Sequence, residues 1–436
     1  MKPVKLVLVS PQSYRPILVT KMARELSPPM GLLYLASAVR DECDVSIVDV
    51  QVRRWTIGEA VSAIVAQLPD VVGISVNYTT TMPSAMELAR QLRQRAPEVL
   101  IIGGGNSATF ETATLLRNAP FDAVVLREGE STLREVVKRF SAHMDISGIP
   151  GVAYRDGDGV KIQPFAGYAA SLDDLAFPRF SDLEQPEHYL KAIVSSRGCT
   201  YGCIYCSTQQ MWKRWRGRSP ENLMAEADGL IEAHQPKQVA FIDDEFTTDR
   251  ARVRGICGGL IERGVPFKWS FAARLEHTDE ELLDWVSAAG CESIFFGIES
   301  GSDSVLAQLR RRYTIADVDR IVALCRARGI LPILSFMIGN PHETSRDVET
   351  TLAVLRCVGT HRLNLSVFTP FPGTPVHTHA SRFGVSLTAP KRVINDDTGD
   401  VFHCTQHLSA DQIRGYWLEG VGIIMRRARE AAGGGA

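Results

Sequence analysis

A chain of 436 residues, 45% of them hydrophobic, holds enough apolar mass for two or three cored domains. Its formal net charge of −2 argues against a general nucleic-acid or membrane-surface role. No stretch approaches the ~18 apolar residues of a spanning helix, and residues 1–5 lead into a strand rather than a signal segment. In chain order, 4–9 reads as a buried strand, 31–40 as a helix, 45–48 as a strand ending at Asp49, and 56–67 as an amphipathic helix. A strand at 71–75, a helix at 83–95 and a strand at 99–102 running into Gly103-Gly104-Gly105 follow. A helix from about Thr109, a strand at 123–126 and a helix from Thr132 complete the set. Short apolar runs alternating with helical patterns predict an α/β, doubly wound parallel sheet of Rossmann type over 1–145. Ligands of such sheets bind at the carboxyl ends of the strands, where Asp49, Ser75 and the triple glycine stand.

Residues 146–190 read as a linker containing a hairpin over 151–162, with Asp-Gly turns between alternating strands and Pro178 and Pro186 beyond it. Six further strands are expected at 191–196, 238–242, 268–272, 293–298, 331–337 and 362–370. Helices lie between them, one starting at Ser219-Pro220 as cap preferences dictate. Six strand–helix units predict a partial (βα)6 TIM barrel over 191–375. A small helical cap would occupy 376–436, with one helix or two over 411–429 and a frayed small-residue tail at 431–436. No internal repeat appears.

The segment Arg197-Gly-Cys199-Thr-Tyr-Gly-Cys203-Ile-Tyr-Cys206 carries the chemistry. Three thiolates in this CxxxCxxC spacing can ligate three irons of a 4Fe-4S cluster, leaving the fourth iron open to an exogenous ligand. A partial zinc site is the competing reading, but zinc knuckles use CxxC pairs with a second pair nearby, and none is present. The other cysteines (Cys43, Cys257, Cys291, Cys325, Cys357 and Cys404) are scattered singly. They read as core thiols of a cytoplasmic protein.

The cysteine motif resembles that of the radical S-adenosylmethionine (SAM) superfamily. The resemblance implies that the open iron binds the methionyl amine and carboxylate of SAM, and that a flavodoxin- or ferredoxin-type donor supplies electrons. Polar turns after successive strands agree: Asp243-Asp-Glu245, Ala273-Arg274, Gly297-Ile-Glu299 and Gly339-Asn-Pro-His-Glu343. By that resemblance Asp243, Asp244 and Glu245 receive the ammonium of SAM, Arg274 its carboxylate and Glu299 its ribose. Tyr205, Ser335 and Gly339 border the cofactor. An Arg274–Asp243 ion pair within the barrel is the plainer reading of those two residues. Residues 212–218, rich in Trp and Arg, read as a loop and helix entry over the cysteines, 309–313 as a solvated helix end, and His403-Cys404 as a packed cap.

The first 145 residues resemble the cobalamin-binding domain fused to many radical SAM enzymes. The resemblance rests on 28–36, on 69–75 and on the interval from Ser75 to Gly104. It implies cobalamin contacts at Gln51, Ser75, Gly103, Gly104 and Glu128. Two departures stand out: Gln51 falls where the family's cobalt-ligating histidine would be, and Arg127 where glycine is usual. The reading that follows is a radical SAM enzyme acting on a small molecule, with cobalamin-dependent C-methylation in natural-product biosynthesis as its reaction. Cobalamin-independent dehydration or epimerisation of a sugar or aminocyclitol, with a vestigial first domain, is the alternative. A catalytically inert cobalamin-binding regulator and a transfer-RNA methylthiotransferase are both disfavoured.

Overall fold

The computed structural model describes residues 3–11, 26–387, 401 and 403–433. The protein divides into two compact units, Met1–Leu190 and Lys191–Ala436. In the first, β1 (Lys5–Ser10), β2 (Asp44–Asp49), β3 (Val71–Ser75), β4 (Leu100–Gly104) and β5 (Ala123–Val125) are parallel in the order β2-β1-β3-β4-β5. Val7, Val9, Val72, Ile74 and Ile101 are buried, as a sheet covered on both faces requires. The covering helices are α1 (Met30–Val39), α2 (Ile57–Ala66), α3 (Met82–Arg95), α4 (Asn106–Phe110), α5 (Thr112–Asn118) and α6 (Glu130–Ser141). At the start of α2, the Glu59 N–H donates to Thr56 Oγ1 (3.3 Å) while the Thr56 N–H donates to Glu59 Oε2 (2.8 Å), a reciprocal capping box.

Three features differ from expectation. The helix anticipated from Thr109 begins at Asn106 and breaks at Glu111, whose φ of −117° and ψ of 28° leave the helical region. The hairpin at 151–162 forms, as β6 (Val152–Asp156) and β7 (Gly159–Ile162), but it is no free linker. β6 pairs antiparallel with the open edge of β5, extending the sheet to seven strands and covering its unpaired N–H and C=O groups. The chain after it is also tied to this unit: Ser37 Oγ donates to Phe177 O (2.8 Å) and Tyr189 OH to Asp49 Oδ2 (2.9 Å).

In the second unit β8 (Lys191–Ile193), β9 (Gln238–Phe241), β10 (Lys268–Ala273), β11 (Cys291–Glu299), β12 (Leu331–Ile338) and β13 (Leu363–Val367) form one parallel sheet in sequence order. Between them run α7 (Pro220–His234), α8 (Arg250–Arg263), α9 (Glu280–Ala288), α10 (Ile315–Ala327) and α11 (Ser345–Cys357). Ser219 Oγ accepts from Asn222 N (3.2 Å) to cap α7, with Pro220 in its first turn. The C terminus is one helix, α12 (Ala410–Gly433), so residues 431–433 are helical rather than frayed; 434–436 lie outside the described residues. Trp417 Nε1 donates to Leu365 O on β13 (3.2 Å), and Arg427 donates to Leu355 O (2.8 Å) and Val358 O (2.6 Å) at the end of α11. A side chain on Gly420 would overlap Leu365, so the helix closes directly on β13. It therefore serves as the sixth helix of the barrel.

The triple glycine at the end of β4 resolves into three unlike positions. Gly105 adopts φ +110°, and an added Cβ would lie 2.5 Å from Asn77 Oδ1 and 3.0 Å from the Val76 backbone. Gly105→Ala is expected to destabilise the first unit by about 2 kcal/mol or more, combining backbone strain with overlap. Gly104→Ala, which meets nothing closer than the Val125 carbonyl at 3.5 Å, should leave the unfolding midpoint nearly unchanged. Thermal unfolding of the two full-length variants tests this, and equal losses would refute it.

Candidate active site

Cys199, Cys203 and Cys206 follow β8 as free thiols. The loop that carries them is fixed by two consecutive aspartates just past β9. Asp244 accepts from the Gly198 N–H (3.0 Å) and from Thr208 Oγ1 (3.2 Å), gripping the chain on either side of the cysteines. Asp243, buried, accepts from the Ser195 N–H (2.7 Å), from Ser196 Oγ (2.7 Å) and from the Ser195 hydroxyl. Burial raises its pKa, against the opposing pull of Arg252 and these hydrogen bonds. Gly198, at φ +92°, must be glycine because a Cβ would overlap the Arg214 carbonyl. Both carboxylates are thus engaged in holding the loop. Glu245, also buried, accepts from the Thr247 N–H (3.0 Å) through Oε1. Among the described residues no hydrogen bond reaches its Oε2, so it is the member of the trio with an oxygen to offer.

The donor set suits iron. Burial pushes the Cys199 thiol up to about 11 and moves Cys206 upward, so a bound cation is what would hold these sulfurs as thiolates. Arg274, at the end of β10, donates to Cys203 Sγ (3.3 Å) and to Glu276 Oε1 (2.7 Å), and its guanidinium lies 3.7 Å from the Tyr201 ring centroid. Its partner is Glu276 and not Asp243. Among the described residues no three His, Cys, Asp or Glu side chains converge as ligands of a single metal ion.

Sequence reasoning missed Arg311. The expected solvated helix end instead buries this side chain, 6% exposed, in an ion pair with Glu299. Glu299 Oε1 accepts from Tyr205 OH (2.8 Å), and Arg311 Nη2 stands 2.5 Å from the same hydroxyl. Burial and the Glu299 carboxylate push the Tyr205 phenol well above its ordinary value, keeping it a neutral donor. Glu299 has φ +74°, and a Cβ on Gly297 would fall 2.5 Å from its Oε1. The glycine makes room for the carboxylate to fold back over the strand end. Tyr313, also in that segment, is buried and donates to Ile298 O (2.8 Å). A carboxylate at residue 299 followed by three consecutive arginines was the signal available.

Ser335, half-buried, lies beside Gly297 on β12. Gly339 follows at φ +83°. Its N–H donates to Glu343 Oε2 (2.6 Å), and its carbonyl meets His403 Nε2 (2.7 Å). Burial pushes Glu343 up to about 7. His403, buried on a short ribbon paired with Val385–Leu387, is thereby a packed residue clamping this turn.

At the strand ends of the first unit, Asp49 accepts from the Gln51 N–H (3.0 Å) and from Tyr189 OH (2.9 Å), leaving Gln51 as a neutral amide on the short helix Val50–Arg53. Ser75 and Gly104 are adjacent in register and half-buried. A Cβ on Gly103 would meet Phe121 at 3.3 Å, and Glu128 Oε2 accepts from the Ala169 N–H (2.7 Å). Among the described residues nothing demands glycine at Gly104. Close approach of a ligand to its backbone is the remaining reason, and to that extent the strand ends fit a corrin tail.

Residues 17–137 match the B12 binding domain family, and residues 193–355 match the Radical SAM superfamily. An uncharacterized methyltransferase, PH0819, from Pyrococcus horikoshii is 30% identical over 420 residues, 95% of this chain and 90% of that protein. An anaerobic magnesium-protoporphyrin IX monomethyl ester cyclase from Synechocystis is 24% identical over 434 residues, 95% of this chain and 85% of the cyclase. Among solved structures, the radical SAM methyltransferase TsrM from Kitasatospora setae, determined with cobalamin and a 4Fe-4S cluster, shares the fold. Its TM-score is 0.78 over 98% of this chain and 89% of TsrM, at 20% identity. A strand-end site of this kind on a partial barrel, preceded by a B12-type sheet, defines a class. The chain belongs to the radical SAM methyltransferase family with an amino-terminal B12-binding domain. No helix among the described residues is long and apolar enough to cross a membrane.

Replacing Arg311 by Met should raise the dissociation constant for SAM about tenfold or more, the size of a lost charge-assisted bond. Iron content should stay unchanged. Equilibrium dialysis of the reconstituted variant measures both, and unaltered SAM affinity would remove Arg311 from the site.

Proposed function

We propose that the protein methylates an unactivated carbon of a small molecule, with Cys199, Cys203 and Cys206 holding a 4Fe-4S cluster and the β3–β4 ends holding cobalamin. When bound, the cluster supplies the electron that cleaves SAM to the 5′-deoxyadenosyl radical, and cobalamin carries the methyl group. The observation that carries this reading is the cysteine loop, tethered at both sides by Asp244 and contacted at Cys203 by Arg274. Around it the residues divide the work by charge. Glu245 offers its Oε2 to the ammonium of SAM, Arg311 its guanidinium to the carboxylate, and Glu299 with Tyr205 hydrogen-bonding groups to the ribose. Ser335 and the Gly339 turn border the base. Arg274, buried between Tyr201 and Cys203, keeps positive charge beside the sulfurs and water away from them. A flavodoxin- or ferredoxin-type protein supplies the electrons, and the cytoplasm is the compartment that keeps these thiols reduced. We place the product in natural-product biosynthesis.

Reconstituted protein should be brown with about four irons per chain, and Cys203→Ala should abolish 5′-deoxyadenosine formation while the chain remains folded. Unchanged formation in that variant would sink the reading. With methyl-labelled SAM, each product should carry label on carbon and appear with one 5′-deoxyadenosine and one S-adenosylhomocysteine. The cyclase relative gives weight to a second outcome. Unlabelled product with deoxyadenosine and no homocysteine derivative would decide for a rearrangement or elimination without methyl transfer.

Because Gln51 stands where a histidine would ligate, bound cobalamin should be base-off with no protein nitrogen on cobalt. The electron paramagnetic resonance spectrum of the cob(II)alamin form should show no nitrogen splitting; a nitrogen triplet would contradict the assignment.

A further inference from the structure

The turn 339–343, which follows β12, is held from two directions. From within, Glu343 Oε2 accepts from the Gly339 N–H (2.6 Å) and the Asn340 N–H (3.0 Å), and Glu343 Oε1 accepts from Asn340 Nδ2 (3.2 Å). From the carboxyl-terminal segment, His403 Nε2 reaches Gly339 O at 2.7 Å. The Gly339 carbonyl and the Asn340 N–H belong to one peptide group, so His403 and Glu343 fix that plane at both ends. A carbonyl only accepts, so Nε2 carries the hydrogen. Burial lowers the pKa of His403, against the bond to Gly339, and the ring stays neutral with Nδ1 bare. Among the described residues this buried Nδ1 has no hydrogen-bond partner. An unpaired buried acceptor is destabilising, and the fold tolerates it for one bond to Gly339. The same segment bears on the turn elsewhere. A Cβ on Gly339 would fall 2.9 Å from Ile413 Cγ2 on α12, and one on Gly384 would fall 3.1 Å from His342 Cε1. Residues 384, 403 and 413 all lie beyond the matched Radical SAM segment, 193–355. With the N–H and the carbonyl of Gly339 both engaged, the turn serves a ligand by the shape of its backbone, and that shape is set from outside the strand.

We propose that His403 is a positioning residue for SAM. Its N–H sets the Gly339–Asn340 peptide in the orientation that borders the adenine base, and cofactor affinity thereby depends on the carboxyl-terminal segment. The proposal rests on the reading of the Gly339 turn as the base side of the SAM site. Gly339 is buried. A buried carbonyl deprived of its donor must find another, and rotation of this peptide would change the surface that meets the base.

The test uses the full chain with its iron–sulfur cluster reconstituted, and SAM itself as the probe in equilibrium dialysis. His403→Phe keeps a ring and removes the donor. Its dissociation constant for SAM should rise about tenfold, the size of one hydrogen bond lost at a buried carbonyl. His403→Leu, smaller than the ring, should show a similar rise, which excludes overpacking as the cause. His403→Gln, whose amide N–H can reach the same carbonyl, should recover most of the native affinity. Iron content should match the native chain in all three variants. Equal weakening by Gln and Phe, unchanged affinity in His403→Phe or His403→Leu, or iron lost in step with SAM would make His403 a packing residue only and overturn the proposal. A native chain that keeps its iron and binds no SAM would instead overturn the reading of this end of the barrel as a SAM site, and the proposal with it.

Discussion

The radical-generating half of the molecule depends on two aspartates in succession just past the end of β9. This one short stretch sends one carboxylate to Ser195 and Ser196 and the other to Gly198 and Thr208. Together they hold the chain before, at the entrance to and after the cysteine segment. A loop of this length left free would lose conformational entropy on ordering, roughly 1–2 kcal/mol per residue, and metal affinity would fall by that cost. Charge-assisted bonds from a carboxylate to backbone N–H groups place much of that ordering in the folded protein before iron arrives. Arg252 completes the arrangement by donating to Ser195 O (2.6 Å) and Oγ (2.5 Å), which sets a positive charge beside the buried Asp243.

The architecture was legible because it is written in periodicity. Buried parallel strands appear as apolar runs such as 71–75, and helices as repeats with their own caps, such as Thr56 with Glu59. The cysteine spacing and the polar strand ends were equally local. The individual roles were not. Asp244 and Gly198 are 46 residues apart, and nothing in the neighbourhood of either says that they meet. Asp243-Asp244-Glu245 therefore looked like three equivalent acids, although the fold gives the first two to the loop and leaves the third with an oxygen to offer. Arg311 sat in a run of arginines that reads as solvated surface, and only the left-handed turn at Glu299 brings the carboxylate back to it. The hairpin at 151–162 was recognisable as a hairpin, but its attachment to β5 depends on which sheet edge is open. Gly103, Gly104 and Gly105 are identical as letters. Phe121, an open face and a φ of +110° separate them only in three dimensions.

Both units carry left-handed backbone at carboxyl ends of their strands. In the barrel, Gly198, Glu299 and Gly339 have positive φ; in the first sheet, Gly105 and Arg127 do. Each non-glycine residue in such a conformation costs on the order of 1–3 kcal/mol and persists only when its surroundings fix it. The surroundings here do so. Tyr205 and Arg311 converge on Glu299, Glu343 and His403 hold the two sides of Gly339, and Thr109 holds Arg127. These turns stand at the strand ends where ligands of parallel sheets bind. Rigid strands beneath them, with Val72, Ile74, Phe296 and Ile338 fully packed, supply the support against which the strain is held. The parallel sheet is thus more than a scaffold. Its packing is the source of the free energy that keeps charged groups in conformations they would not adopt alone.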